Sequence, residues 1–92
     1  SIKKDLAFVL NIDVQSVDVE KTIRKSAGKL LTNLELFDLY TGENVGEKEK
    51  SLAYSLTFTD YTKTLIEEEV NEVIEKIIKD VETKLNGRLR DK

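Results

Sequence analysis

Ser51-Leu52-Ala53-Tyr54-Ser55-Leu56-Thr57-Phe58-Thr59 is the stretch on which the fold turns. Leu52, Tyr54, Leu56 and Phe58 share one side of an extended chain, and Ser51, Ala53, Ser55 and Thr57 share the other. A period of two with such unequal sides predicts a half-buried strand whose open side carries only small residues. A sheet built around it has one face packed and one face accessible.

Working outward, Asp5–Ile12 reads as another strand, with Leu6, Phe8, Leu10 and Ile12 on one side and Ala7, Val9 and Asn11 on the other. Asp18 then offers an N-cap, Val19, Ile23, Ala27 and Leu30 recur near helical spacing, and Gly28 is a plausible stop. Leu31–Tyr40 is apolar and aromatic enough for a strand, ending at a Thr41–Gly42 turn, with loop composition through Glu49. Thr64 and Glu67 have capping-box spacing. Behind them Val70, Val73, Ile74, Ile77, Ile78, Val81 and Leu85 trace one apolar helix stripe, which Asn86–Gly87 closes. Arg88–Arg90 is short enough for a last strand with Leu89 inward and both arginines outward. The order β-α-β-β-α-β predicts an α+β, ferredoxin-like sandwich: a four-stranded antiparallel sheet with two helices on one face.

The chain has 92 residues, enough for one domain spanning 1–92. It begins with Ser1 rather than methionine, which reads as the cut edge of a longer protein. Apolar residues make up 39% and charged residues 36%, so the chain can fold but its exterior is heavily ionised. No apolar run approaches the roughly 20 residues of a membrane helix. There is no cysteine and no histidine, which removes thiolate chemistry, zinc–sulfur sites and the commonest general base. A cytoplasmic location fits this composition. The net charge of −3 runs against nucleic-acid binding. Steering, however, depends on where charges sit, and many carboxylates fall on the last helix.

Nothing in the chain reads as catalytic. Glu67, Glu68 and Glu69 are explained as a solvated first helical turn that suits the helix dipole. No glycine-rich phosphate loop follows a strand, and no serine sits in a nucleophile elbow. The open face is more informative. Strand parity places on it Ala7 and Val9, then Leu34, Leu36, Asp38 and Tyr40, then Ser51, Ala53, Ser55 and Thr57, and finally Arg88 and Arg90. A tyrosine ring can stack on a base, worth roughly 1–3 kcal/mol. Asp38 can accept hydrogen bonds from an unpaired guanine, Ser51 can donate or accept, and arginines can hold phosphates. Each also has a plain reading as a strand-end aromatic, a turn residue or a solvated edge.

The segments Lys4-Asp5-Leu6-Ala7-Phe8-Val9, Glu35-Leu36-Phe37-Asp38-Leu39-Tyr40 and Lys50-Ser51-Leu52-Ala53-Tyr54-Ser55-Leu56-Thr57-Phe58 carry more than a pattern. With Thr64-Leu65 and Glu68-Glu69-Val70 behind them, the chain resembles the C-terminal ferredoxin-fold anticodon-binding domain of the phenylalanyl-tRNA synthetase β-subunit, from Ser1 to about Arg90. That resemblance implies a role in binding the tRNA(Phe) anticodon stem-loop. It implies as further partners the rest of a β-subunit and an α-subunit, in an assembly of two of each. It also implies no cofactor here, since ATP and magnesium serve catalysis in the α-subunit. Family contacts fall on Ala7, Asp38, Tyr40 and Ser51, while Arg88 and Arg90 match no firm motif. The family's Arg-Asp before the first strand is Lys4-Asp5 here, which keeps charge but loses a bidentate fork. The resemblance fits a bacterial β-subunit or an organellar single-chain enzyme equally. An acylphosphatase-like hydrolase would need a glycine loop and an arginine that 11–17 lacks. An RNA-recognition motif would need exposed aromatics where Leu52 and Tyr54 face inward. A protein-interaction or small-molecule regulatory module of the same fold remains the alternative.

Overall fold

The computed structural model describes residues 1–42 and 45–90. Residues 43 and 44 of the expected loop, and 91 and 92 at the end, lie outside the described residues. The elements are β1 (Ile2–Asn11), α1 (Ser16–Ala27), a 3-10 turn (Gly28–Leu30), β2 (Leu31–Tyr40), β3 (Glu49–Phe58), α2 (Glu67–Leu85) and β4 (Arg88–Leu89). The strands form one antiparallel sheet in the order β2-β3-β1-β4. β1 and β2 therefore run parallel with β3 between them, and β3 and β4 run parallel with β1 between them. The two helices pack against each other on the same face of the sheet. The expected α+β, ferredoxin-like arrangement is the one observed.

The core lies between that face and the helices. Phe8, Leu52, Tyr54, Leu56 and Phe58 from the sheet and Val19, Ile23, Val70, Ile77 and Val81 from the helices are all 0% exposed. Tyr54 keeps a polar tip inside this core, and its hydroxyl donates to the Ser16 carbonyl at 3.3 Å. Burial, and secondarily the charge of Glu20, push its ionisation well above the ordinary phenol range. Ser26 donates to Asp80 and so ties α1 to α2 above the sheet.

Element ends differ from the sequence expectations for local reasons. β1 starts earlier and stops at Asn11, because the Asn11 carbonyl and side chain accept the N–H groups of Val14 and Asp13 and turn the chain. Ile12 is thus outside the strand and 46% exposed. α1 begins at Ser16, with Gln15 at the cap position and no side-chain cap, so Asp18 sits in the first turn. There it meets the positive end of the helix dipole instead of capping it. The Thr64–Glu67 capping box does not form either, since Ile66 occupies the cap position of α2. Glu67 and Glu69 pair instead with Lys4 at 2.9 Å and Lys63 at 2.7 Å.

The C-terminal ends behave as expected in kind. Gly28 ends α1 at φ +67°. In α2 the left-handed position is Asn86, at φ 54°, while Gly87 serves packing. A Cβ on Gly87 would stand 2.8 Å from side-chain carbons of both Leu10 and Val81. β4 is a two-residue strand pinned beside β1, prolonged by the Arg90 N–H donating to the Ala7 carbonyl at 2.7 Å.

Candidate functional site

The face of the sheet away from the helices is organised in cross-strand rows. In one row Arg90, Ala7, Ala53 and Asp38 stand side by side, fixed by the pairings Ala7↔Ala53 and Asp38↔Ala53 and by the Arg90–Ala7 hydrogen bond. The next row holds Arg88, Val9, Ser51 and Tyr40. Ala7, Asp38, Tyr40 and Ser51, the four residues singled out in the sequence, thus occupy two neighbouring rows of one face.

Simple alternation along β2 does not produce this. Leu34 and Leu36 pair with Leu56 and Tyr54, which face the helices, so both leucines lie on the core side rather than the open face as expected. Asp38 and Tyr40 pair with Ala53 and Ser51, which face outward. The shift between Leu36 and Asp38 is a bulge whose extra residue is Phe37. A bulge places two residues against one on the partner strand and so inverts the parity beyond it. Glu35, opposite Ser55, and Phe37 therefore join the open face. The signal was present: Leu34, Leu36 and Leu39 are spaced by two and then by three, which no regular strand satisfies.

Two arginines strap one end of the face. Arg88 on β4 reaches across β1 to Glu49 on β3, its two guanidinium nitrogens donating at 2.7 and 3.2 Å. Those bonds, with the Gly46 N–H, hold the Glu49 carboxyl below its ordinary range. Arg90 also crosses β1. Its Nη1 donates to Ser51 Oγ at 3.3 Å, and its guanidinium carbon lies 5.0 Å from the centre of the Tyr40 ring. Beneath these side chains Val9 and Ser51 are only 3% and 2% exposed, although they belong to the open face. Outward arginines were expected, but Arg88 has a protein partner and Arg90 already occupies one side of Tyr40.

Beside the strap the face is hollow. A cavity of about 630 Å³ has Ala7 and Ala53 in its lining, with Phe37 toward β2 and Leu89 and Arg90 toward β4. Phe37 is 56% and Leu89 43% exposed, so apolar surface is presented here rather than buried. Leu89 was expected to point inward. It does pair with Phe8 on the core side, but at the sheet edge it stays exposed. Sequence reading missed Phe37 and Leu89 as walls of this hollow and Arg90 as the partner of Tyr40 and Ser51.

Among the described residues no cluster of three or more carboxylates is placed to hold a metal ion. No helix among them is long and apolar enough to cross a membrane. Comparison with known proteins gives one consistent result. The family described as "Ferredoxin-fold anticodon binding domain" matches residues 1–90. The phenylalanine–tRNA ligase beta subunit of Listeria monocytogenes strain EGD-e is 41% identical over 87 residues, which is 95% of this chain and 11% of that protein. Those of Bacteroides thetaiotaomicron and Coxiella burnetii are 39% and 40% identical, each over 98% of this chain. The chain thus spans 11–12% of the length of these relatives.

Proposed function

Since this chain belongs to the ferredoxin-fold anticodon-binding domain family, we propose that its open sheet face binds the anticodon of tRNA(Phe) as part of a phenylalanine–tRNA ligase beta subunit. The observation that carries the reading is the convergence of Ala7, Asp38, Tyr40 and Ser51 on two neighbouring rows beside an apolar hollow. An unpaired base lies on the Ala7–Ala53 floor, where the absence of long side chains admits a flat ring. Tyr40 and Phe37 supply aromatic surface for stacking. Asp38 accepts from the donor edge of the base, since an ionised carboxylate offers only acceptor oxygens. Ser51 lies one row over beneath Arg90, which its hydroxyl engages, and meets the base once that guanidinium moves aside. The base takes the side of Tyr40 that Arg90 leaves free, or displaces the guanidinium toward a phosphate.

Catalysis lies elsewhere in this reading. The domain grips one end of the tRNA and converts recognition into position at a distant acceptor end, where an α-subunit works with ATP and magnesium. The acidic surface of α2 is turned away from the RNA, on the far side of the sheet. Assembly with an α-subunit and the rest of the β-subunit, in the cytoplasm, belongs to the same proposal.

Backbone amide shifts during titration with an anticodon stem-loop test this. Shifts concentrated at Ala7, Asp38, Tyr40 and Ser51, and about tenfold weaker binding after Tyr40→Ala, are the expected result. Unchanged affinity in Tyr40→Ala removes the stacking role. No shift at millimolar stem-loop removes the proposal and leaves the apolar hollow as a surface for a protein partner.

A further inference from the structure

One row beyond the Ala7–Ala53 floor, Asp5, Ser55 and Glu35 stand opposite one another on the same open face. Together with Lys3 and Phe37 they line a second cavity of about 420 Å³. Asp5 and Phe37 border both cavities, so the Phe37 ring stands where the two meet. Rows two residues apart on a strand are separated by about 6.7 Å, a step that one splayed nucleotide can span.

The serine in this row is unlike its neighbour. Ser51 is partnered by Arg90, but Ser55, only 8% exposed, buries its Oγ with no hydrogen-bond partner among the described residues. Native structures leave few buried polar atoms unpaired, because each forfeits its hydration without recompense. Ser55 lines a cavity whose other polar residues carry two carboxylates and one ammonium, and a turn about its Cα–Cβ bond is what would bring the buried hydroxyl to a group bound there. Neither Asp5, Glu35 nor Lys3 makes a side-chain hydrogen bond or ion pair with another described residue. The bulge at Phe37 adds an exposed aromatic wall.

We infer that this second cavity is a subsite for a neighbouring nucleobase that presents an amino group, read by Ser55, Asp5 and Glu35 against the wall of Phe37. The inference rests on the anticodon-binding proposal and adds to it a second position of recognition. Carboxylates only accept, and the Ser55 hydroxyl can accept too, so the cavity suits N–H groups. Adenine, cytosine and guanine each offer an exocyclic amino group there. Uracil has no amino group and flanks its one N3–H with two carbonyl oxygens that the carboxylates repel, so it is disfavoured. The phosphate runs on the Lys3 side, away from the paired acids.

The test uses the whole chain and anticodon stem-loops in which each amino-bearing loop base is replaced in turn by its analogue without that group. Inosine stands for guanosine and purine riboside for adenosine, with affinities taken from amide-shift titrations. At one position other than the base read by Asp38, removing the amino group is expected to weaken wild-type binding about fivefold. In Ser55→Ala that difference disappears, while the Asp38-dependent difference and the thermal midpoint are kept. Asp5→Asn reduces the same difference without abolishing stem-loop binding. If no position loses its amino-group dependence in Ser55→Ala while Asp38 still discriminates, the subsite is refuted and anticodon reading stands. A wild-type chain that binds no stem-loop refutes both.

Discussion

β2 and β3 are both ten-residue strands, paired to each other along their length, yet they obey different rules. β3 alternates without fault, and its four inward side chains, Leu52, Tyr54, Leu56 and Phe58, are 0% exposed. β2 breaks register twice and leaves Leu36, Phe37 and Leu39 between 37% and 56% exposed. The difference is position. β3 has strands on both sides and helices above, so a one-residue slip would turn large apolar groups out of the core. β2 is an edge strand, with a partner on one side only, and can absorb an extra residue. What looks like an irregularity is what sets the candidate site: the bulge lets Leu34 pack in the core while Asp38 and Tyr40 face outward.

Truncation in the two strands should break this comparison most visibly. Phe58→Ala is expected to cost about 3–5 kcal/mol in denaturant unfolding, because it empties a fully buried position. Leu39→Ala on the β2 edge should cost less than about 1 kcal/mol, since that side chain is 56% exposed. Equal losses would mean that the β2 edge is covered in solution.

Deleting one residue sharpens it further. Removal of Phe37 restores strict alternation through Leu34, Glu35, Leu36, Asp38, Leu39 and Tyr40, with Asp38 and Tyr40 still outward. Such a deletion should be tolerated within about 1–2 kcal/mol and keep the amide shift pattern of a folded sheet. It should also weaken stem-loop binding by removing a wall common to both cavities. Unfolding of the deletion variant would show that Phe37 holds β2 rather than merely interrupting it.

The smallest effect concerns the arginine strap. Glu49 has its pKa lowered from an ordinary value of 4.5, first by the Arg88 hydrogen bonds and then by the Gly46 N–H. A depressed carboxylate contributes stability that is present above the ordinary pKa and is lost as pH falls through the depressed one. The pair is open to water, so the change in stability between pH 5 and pH 2 attributable to it should be slight. A carbon-detected titration of the Glu49 carboxyl is the sharper readout. It should give a midpoint below 4.5 in the wild type and return most of the way to that value in Arg88→Ala.

Much of this molecule is legible in the chain itself. The period-two pattern of Ser51–Thr59 and the apolar stripe from Val70 to Leu85 identify the central strand and the long helix. Their burial is large enough to override every local signal. Weak signals fared differently. Asp18 and Thr64 have the chemistry of caps, yet neither caps a helix. A cap is worth about 1 kcal/mol, which packing of the chain before each helix can outweigh. The resemblance pointed to the family and singled out four residues, and strand parity put Ser55 and Arg90 on the open face, but neither put Phe37 there or showed that Arg90 lies on Tyr40.

Composition, periodicity and segment order by themselves determined the α+β class and the strand and helix order, because each rests on patterns written within one element, and the resemblance of several segments taken together pointed to the family. Only the tertiary structure decided which way Leu34, Leu36 and Phe37 point, that Arg90 lies on Tyr40, and that Ser55 is buried without a partner. Those facts depend on register between strands and on side chains that cross from β4 to β2. Register is set by the sum of contacts over the whole sheet, and no single segment contains it.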